Sequence, residues 1–356
     1  MYILNVLAGR KKGLFPFLLK ALLAFASGVY RFLHMTRKGL YRVGILRGTR
    51  ISIPVISVGN LTMGGTGKTP IVEMLARKIA QQGLPTAILA RGYGKIDPSQ
   101  DDENLLFDID HVIRLTGANR VESAKRAIEE FQARTIILDD GYQHFQIQRD
   151  LDILVVDCLN PFGGEHLLPR GGLREDPSHT DRADILILTR SDQVDEKSLH
   201  TLKARLTDLS QGKPIVETNH KPTHLRSLGN KQRHELDWLQ GKRINAFCGL
   251  GNPEGFRKTI ESLGAELCLF RAFPDHHTYT KSDLQRLNLE AQEFMADLLL
   301  TTEKDSLKLH QESFEKPLFV LRIEIEITRG QEQLDRALAK TLQPLPSSTA
   351  GTLPKK

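Results

Sequence analysis

The chain has 356 residues, enough for two domains with separate cores, and a globular composition of 40% apolar and 26% charged residues without repeats. Its three cysteines, Cys158, Cys248 and Cys268, are isolated and odd in number. That pattern argues against a disulfide framework or a cysteine zinc site and suits a reducing cytosol. The net charge of +6 is misleading: residues 1–50 carry ten Lys/Arg and no acid, so the remainder is net acidic. Something anionic meets the N-terminal end.

Leu14–Met35 is mostly apolar, but Lys20, Ser27, Arg31 and His34 interrupt it. With Lys38 these fall within about 60° of one another around a helix, a narrow polar stripe on an apolar rod. A spanning helix wants about 20 uninterrupted apolar residues, and the longest uncharged run here, Ala21–Tyr30, is ten. A helix lying in the membrane interface fits better, with Lys and Arg reaching the headgroups. A secretory signal ending at Ala24-Phe25-Ala26 is one alternative. Packing on the protein's own core is the other alternative. No nucleic-acid module accompanies the basic residues.

From Pro54 the elements alternate as in an α/β fold. Val55–Val58 reads as a short buried strand, followed by Gly64-Gly65-Thr66-Gly67-Lys68-Thr69 and a helix running from Thr69 toward Gln82. Strand, glycine loop, Gly-Lys-Thr and helix is the context of a phosphate-binding loop. Glycines let backbone N–H groups converge on phosphates, and the helix N-terminus adds positive charge. Lys68 would bridge the outer phosphates and the Thr69 hydroxyl would sit on Mg²⁺. Thr62 stands where the usual first Gly would be, and Met63 replaces the Lys carried by some ATPases with the GGxGK[ST] variant. The loop binds a nucleoside triphosphate.

Further strands are expected at Thr86–Ala90, Thr135–Leu138, Leu151–Val156 and Ile185–Leu188, with helices at Arg120–Phe131 and Lys197–Leu209. These strands are apolar and short, as in a buried parallel sheet. The pattern loosens around Gly212–Arg226. A second set follows: strands Ile244–Cys248, Glu266–Phe270, Leu298–Thr301 and Leu318–Ile327, with helices Pro253–Leu263 and Ser282–Ala296. The last strand alternates partly, as an edge strand would. The expected fold is a P-loop NTPase-like, mostly parallel sheet flanked by helices, with a second smaller α/β domain and an N-terminal membrane-associated amphipathic helix. The divisions are an anchor region 1–50, a nucleotide-binding domain 51–215, a second domain 216–342 and a flexible tail 343–356.

Ile136–Leu138 delivers Asp139 and Asp140 about 70 residues after Lys68, the arrangement by which a buried strand presents an Asp to Mg²⁺ held by the loop's Thr. Asp101-Asp102-Glu103 lies in a polar loop after the second strand, at the sheet edge where α/β enzymes bind ligands; alone it reads as a solvated acidic run. Asp275-His276-His277 is a poor chelating pair, but a His beside a carboxylate suits proton abstraction. Thr189-Arg190-Ser191-Asp192 echoes the [NT]KxD element that reads guanine, with Arg190 in the Lys position, which leaves GTP open.

As a set these stretches resemble one family, the tetraacyldisaccharide 4′-kinases of Gram-negative lipid A synthesis, from about Leu14 to Leu309. The resemblance rests on Ser57–Thr62 with Gly64–Pro70, Arg91–Gly94, Asp102-Glu103, Leu138–Gly141 with Gln143-His144, Leu168-Pro169 with Leu173–Glu175, Phe273–His276 and Thr302–Asp305. It implies transfer of the ATP γ-phosphate to the 4′-hydroxyl of a tetraacylated glucosamine disaccharide 1-phosphate. The lipid disaccharide is then the partner, at the cytoplasmic face of the inner membrane, with no obligate protein partner evident. Asp102 is similar to the family's catalytic base and His276 to its partner, with His277 adjacent. Asp139 is the next carboxylate able to act as base. Glu103, Asp140, Gln143 and Glu175 resemble the Mg²⁺ and phosphate surroundings. The rival reading is a membrane-associated P-loop ATPase or GTPase switch, which would not need Asp102 and His276.

Overall fold

The computed structural model describes residues 13–91, 109–275 and 277–343. Helix α1 (Leu14–Arg42) stands first. Strand β1 (Val55–Gly59), buried throughout, feeds helix α2 (Lys68–Ala80). Strands β2 (Thr86–Ala90) and β3 (Val112–Thr116), helix α3 (Arg120–Glu129), and strands β4 (Thr135–Asp139), β5 (Leu151–Asp157) and β6 (Ile185–Thr189) follow, then helix α4 (Glu196–Ser210). Asn119 and Asp195 accept backbone N–H groups at the starts of α3 and α4, as helix-capping residues do.

Strand β7 (Ile215–Ser227) leads, past the short β8 (Arg233–His234), into the C-terminal half. That half comprises β9 (Arg243–Cys248), helix α5 (Pro253–Ser262), β10 (Glu266–Ala272), helix α6 (Lys281–Glu293), β11 (Leu298–Thr302), the one-turn helix α7 (Glu303–Ser306), β12 (Leu318–Arg329) and helix α8 (Gln331–Leu342). The strands form one sheet in the order β10-β9-β11-β12-β7-β6-β5-β1-β4-β2-β3, with β8 on β7. Apart from the short β8, which runs antiparallel to β7, pairing is parallel within each half; β12 and β7 run antiparallel and join the halves. The mostly parallel sheet flanked by helices matches the fold expected from the sequence.

The core follows from the strand composition. Ile56, Val58, Ile88, Ile137, Ile153 and Ile187 on one face of the sheet pack against Ile71, Leu75 and Ile79 of α2. The C-terminal half has its own core around Ile244, Ala246, Phe256, Ile260 and Leu300. Between the halves, Arg322 of β12 bonds Glu73 of α2 and Glu303 of α7.

Three expectations need correction. Leu318–Ile327 is not at an edge: β12 lies between β11 and β7, and its residues alternate because the segment paired to the outer part of β7 is covered on one face only. The loosened stretch Gly212–Arg226 holds all but the last residue of the 13-residue β7, disguised by Lys221, Pro222 and His224. Pro222 has no N–H to give the ladder, and the register against β12 shifts at that point. The polar stripe of α1 turns partly inward, although its Arg31 side chain stays 59% exposed. Ser27, Tyr30 and His34 face the body of the protein, while Leu14, Phe17, Leu22, Phe25, Phe32 and Leu33 are exposed. Polar side chains on one side of the rod find loop backbone to bond, so the apolar side is left uncovered. Strand β3 and helix α8 are elements that the sequence pattern did not reveal.

Candidate active site

The phosphate loop is built as its sequence requires. Gly64 has φ 107° and Gly67 φ 83°, backbone that side chains with a Cβ avoid, and Gly67 caps α2 directly. Asn60 holds the loop from inside. Its Nδ2 donates to the Thr62 carbonyl (2.7 Å) and to Thr66 Oγ1 (3.0 Å), and its Oδ1 accepts from Lys68 Nζ (3.1 Å). From β6, Thr189 Oγ1 donates to the Thr66 carbonyl (2.9 Å) and Arg190 Nη2 to the Gly65 carbonyl (3.1 Å). Arg190 is anchored by Asp157 at 2.7 Å. With these struts Gly64, Gly65, Thr66 and Gly67 line the cleft.

The two carboxylates expected at the end of β4 lie beside this loop, because β4 pairs with β1 and sets Asp139 opposite Val58. They are used differently. Asp139 accepts from Arg114 Nη2 at 3.3 Å, and Arg120 donates to the carbonyls of Asp139 (2.7 Å) and Asp140 (3.2 Å). Asp140 sits in a left-handed conformation, φ 55°, which swings its carboxylate toward Lys68 (3.5 Å) and Arg174 (2.7 and 2.9 Å). Burial alone would raise the Asp140 carboxyl; Lys68 and Arg174 outweigh it and hold the group below its ordinary value. An ionised carboxylate and the Thr69 hydroxyl lining one cleft are the hard oxygen donors that suit Mg²⁺.

Glu175 and Gln143 lie just outside this cleft. Glu175 is buried, and Arg182 takes both its oxygens, at 2.6 and 2.8 Å. His179 Nδ1 (2.8 Å) and Gln143 Nε2 (2.8 Å) complete its partners, and Gln143 also donates to the Asn60 carbonyl. Burial would raise this carboxyl, but Arg182, His179 and Gln143 hold it far below the usual range. His34, Glu175 and His179 bring ligand atoms within 4.8 Å of one another. With the carboxylate already committed to a guanidinium, the trio reads as a polar joint between α1 and the body.

The cleft, of about 420 Å³, runs from Arg91, Arg114 and Arg174 past the phosphate loop to Arg190, His220 and Phe256. Lys68, Thr69, Asp139 and Asp140 all line it, with Gly64, Gly65, Thr66 and Gly67. Asp102, Glu103 and His276 fall outside the described residues. Their nearest described neighbours on one side, Arg91 and Asp275, line the cleft. His277 is engaged elsewhere, through Nε2 to Asp283 at 3.0 Å and by stacking on Phe273. Asn60, Arg114, Arg120 and Arg174 are the site residues whose part the sequence did not disclose. Arg174 had one signal, its place beside Glu175.

A family model described as tetraacyldisaccharide-1-P 4′-kinase matches residues 19–343. Two curated relatives named tetraacyldisaccharide 4′-kinase are each 38% identical. One, from Anaeromyxobacter dehalogenans, aligns over 338 residues, 89% of either chain. The other, from Syntrophus aciditrophicus, aligns over 346 residues, 90% of this chain and 92% of its own. Among solved structures, LpxK from Aquifex aeolicus in complex with ATP superposes with a TM-score of 0.70 at 28% identity. It covers 91% of this chain and 99% of that one. The chain therefore belongs to the tetraacyldisaccharide-1-P 4′-kinase family.

Proposed function

We propose that the chain transfers the γ-phosphate of ATP to the 4′-hydroxyl of a tetraacylated glucosamine disaccharide 1-phosphate, a step of lipid A synthesis. The observation that carries this reading is the triangle of Lys68, Asp140 and Arg174 against the phosphate loop, next to a helix with an uncovered apolar face. Phosphoryl transfer needs in-line placement and charge neutralisation more than covalent help. The loop N–H groups and the α2 N-terminus cradle the phosphates, and Lys68, now resting on Asn60 and Asp140, is placed to swing to their oxygens. Mg²⁺, when bound by Thr69 and Asp140, would neutralise charge building between the phosphates. Gln143 and Glu175 brace Asn60 and the segment that carries Arg174. Residues 51–215 would form the nucleotide-binding domain and 216–342 the second domain.

Asp102 is proposed as the base that takes the hydroxyl proton, with His276 orienting it and Glu103 serving the metal side. Arg91 and Asp275 lining the cleft support that placement. The apolar face of α1 would lie on the cytoplasmic side of the inner membrane, where the lipid acceptor resides. The test is incubation with γ-labelled ATP and a Gram-negative lipid extract. Label in a glycolipid is the expected result; lipid-stimulated hydrolysis with no labelled lipid would make the protein a switch instead. Asp102→Asn should lower kcat at least about a hundredfold with ATP affinity nearly unchanged. Adding His276→Ala should cost little more, because the two act as a unit.

A further inference from the structure

The segment Leu167–Arg174 is hydrogen-bonded on two sides. Toward the membrane helix, Ser27 Oγ lies 2.9 Å from the Leu167 carbonyl and accepts the Arg170 amide at 3.1 Å, and Tyr30 Oη donates to the Arg174 carbonyl at 2.8 Å. Toward the phosphate loop, the Arg174 amide donates to the Leu61 carbonyl and the Met63 amide to the Gly172 carbonyl, both at 2.7 Å. Arg174 is thus held three ways: its carbonyl by α1, its amide by Leu61 between β1 and the loop, and its guanidinium by Asp140. Displacing α1 would move the Arg174 backbone, and with it the group that orients Asp140.

The helix holding that strap is attached mostly by polar and ring contacts along one side. Pro16 is the buried residue among the described positions of α1. Its attachments include the two hydroxyls, the Arg31–Asp176 pair at 3.7 Å, His34 beside Glu175 and His179, and, near its C-terminal end, Tyr41 and Arg37 against the Phe145 ring. Neutral hydrogen bonds of this kind are individually weak, so a surface that takes up the apolar face would add to how firmly α1 sits. Burial, with the Glu175 charge, pushes the Tyr30 phenol up, which keeps it a proton donor.

We propose that α1 is a working part of the phosphoryl-transfer site as well as an anchor, with Ser27 and Tyr30 as positioning residues that act through Arg174. Seating the helix on a lipid surface then sets the geometry of Asp140 and the phosphate loop, so the enzyme turns over at an interface and idles away from one. This inference rests on the kinase reading above.

The full-length chain is assayed with γ-labelled ATP and purified glycolipid acceptor in non-ionic detergent micelles. Binding is measured separately by sedimentation with vesicles of phosphatidylethanolamine and phosphatidylglycerol. Ser27→Ala with Tyr30→Phe should lower kcat by about tenfold, two lost bonds' worth, with vesicle binding within about twofold of normal because the apolar face is intact. Ser27→Thr, which restores a hydroxyl, should keep most of the activity of the unaltered chain. In an Arg174→Gln background the Tyr30→Phe loss should largely vanish, since both act through one residue. Full kcat in the Ser27/Tyr30 variant, or losses that multiply with Arg174→Gln, would overturn the inference. If the double variant unfolds, Tyr30→Phe alone decides by the same criteria. A failure of the unaltered chain to label lipid would instead sink the kinase reading, and this inference with it.

Discussion

Gly251 of the C-terminal half meets Gly65 of the phosphate loop backbone to backbone. A Cβ on Gly251 would stand 2.4 Å from the Gly65 nitrogen, and one on Gly65 would stand 3.3 Å from the Gly251 Cα. The two halves close over the loop at this point, and only residues without side chains permit so near an approach.

Gly251→Ala should therefore hold the C-terminal half off the loop while each half keeps its own core. Neither partner atom is a flexible side-chain end, so the backbone must yield. The expected result is a fall of about tenfold or more in kcat/KM for ATP, the scale set by a misplacement near 1 Å, with a thermal midpoint within a few degrees of normal. Gly39→Ala, where nothing lies within 4 Å, is the control. Unchanged steady-state kinetics in Gly251→Ala would mean that this contact has no part in turnover.

Much of this site was legible because local sequence dictates local chemistry. The Val55–Pro70 stretch carries strand, glycines, Lys and Thr in one run, and Asp139-Asp140 ends an apolar strand. The supports were not legible, because they come from afar. Nothing in the sequence around Asn60 shows that its side chain holds Thr66 and Lys68. Arg174 reaches Asp140 only because the strap pairs with Leu61 and Met63. The stripe on α1 was visible as amphipathicity, but its direction depends on partners such as Leu167 and Arg174, some 140 residues away. Likewise Lys221, Pro222 and His224 break the pattern within β7, and its burial does not alternate, so periodicity could not find it.

The His220 ring packs 3.1 Å from the position of a Cβ on Gly67. Burial, then the charge of Arg190, push its pKa from 6.5 down to about 3. The unfolded chain takes up a proton below pH 6.5 that the folded chain refuses until about pH 3. Stability is thus complete above pH 6.5 and drains away as pH falls through that window, at up to about 1.4 kcal/mol per pH unit. His144, lowered to about 4 by burial and then by Arg120 and Arg149, acts in the same sense. His220→Gln should make the thermal midpoint less sensitive to acid between pH 4.5 and 6.5, without flattening it. An unaltered slope would assign the acid sensitivity to other groups.

The exposed face of α1 offers a test of membrane attachment that spares the strap. Phe17, Phe25 and Phe32 are 68%, 73% and 69% exposed. Each would contribute about 1.5–3 kcal/mol on entering an apolar phase. Replacing all three with Glu should abolish pelleting with vesicles and leave nucleotide binding intact. Deleting residues 1–38 would remove Ser27 and Tyr30 as well, and so would confound the two roles. If the triple variant still pellets with anionic vesicles, the basic residues carry the attachment by themselves.

The Thr189–Asp192 stretch raised the question of GTP, and the position of Arg190 bears on the answer. In a guanine reader the corresponding cation lies along the base. Here the guanidinium is committed to the Asp157 carboxylate and the Gly65 carbonyl, beneath the loop. Its backbone is left-handed, φ 57°, which fixes that direction. Arg190 therefore serves the phosphates by holding their loop. Arg190→Lys cannot span both partners, because an ammonium is a single point of contact where the guanidinium is a fork. It should raise KM for ATP several-fold without making GTP a better donor. Arg190→Ala should be worse, since it leaves Asp157 buried without its partner, a loss of about 3–5 kcal/mol in stability. Competition between ATP and GTP for the unaltered chain and for Arg190→Lys is the measurement. GTP outcompeting ATP tenfold in the unaltered chain, or a switch toward GTP in Arg190→Lys, would return Arg190 to the base.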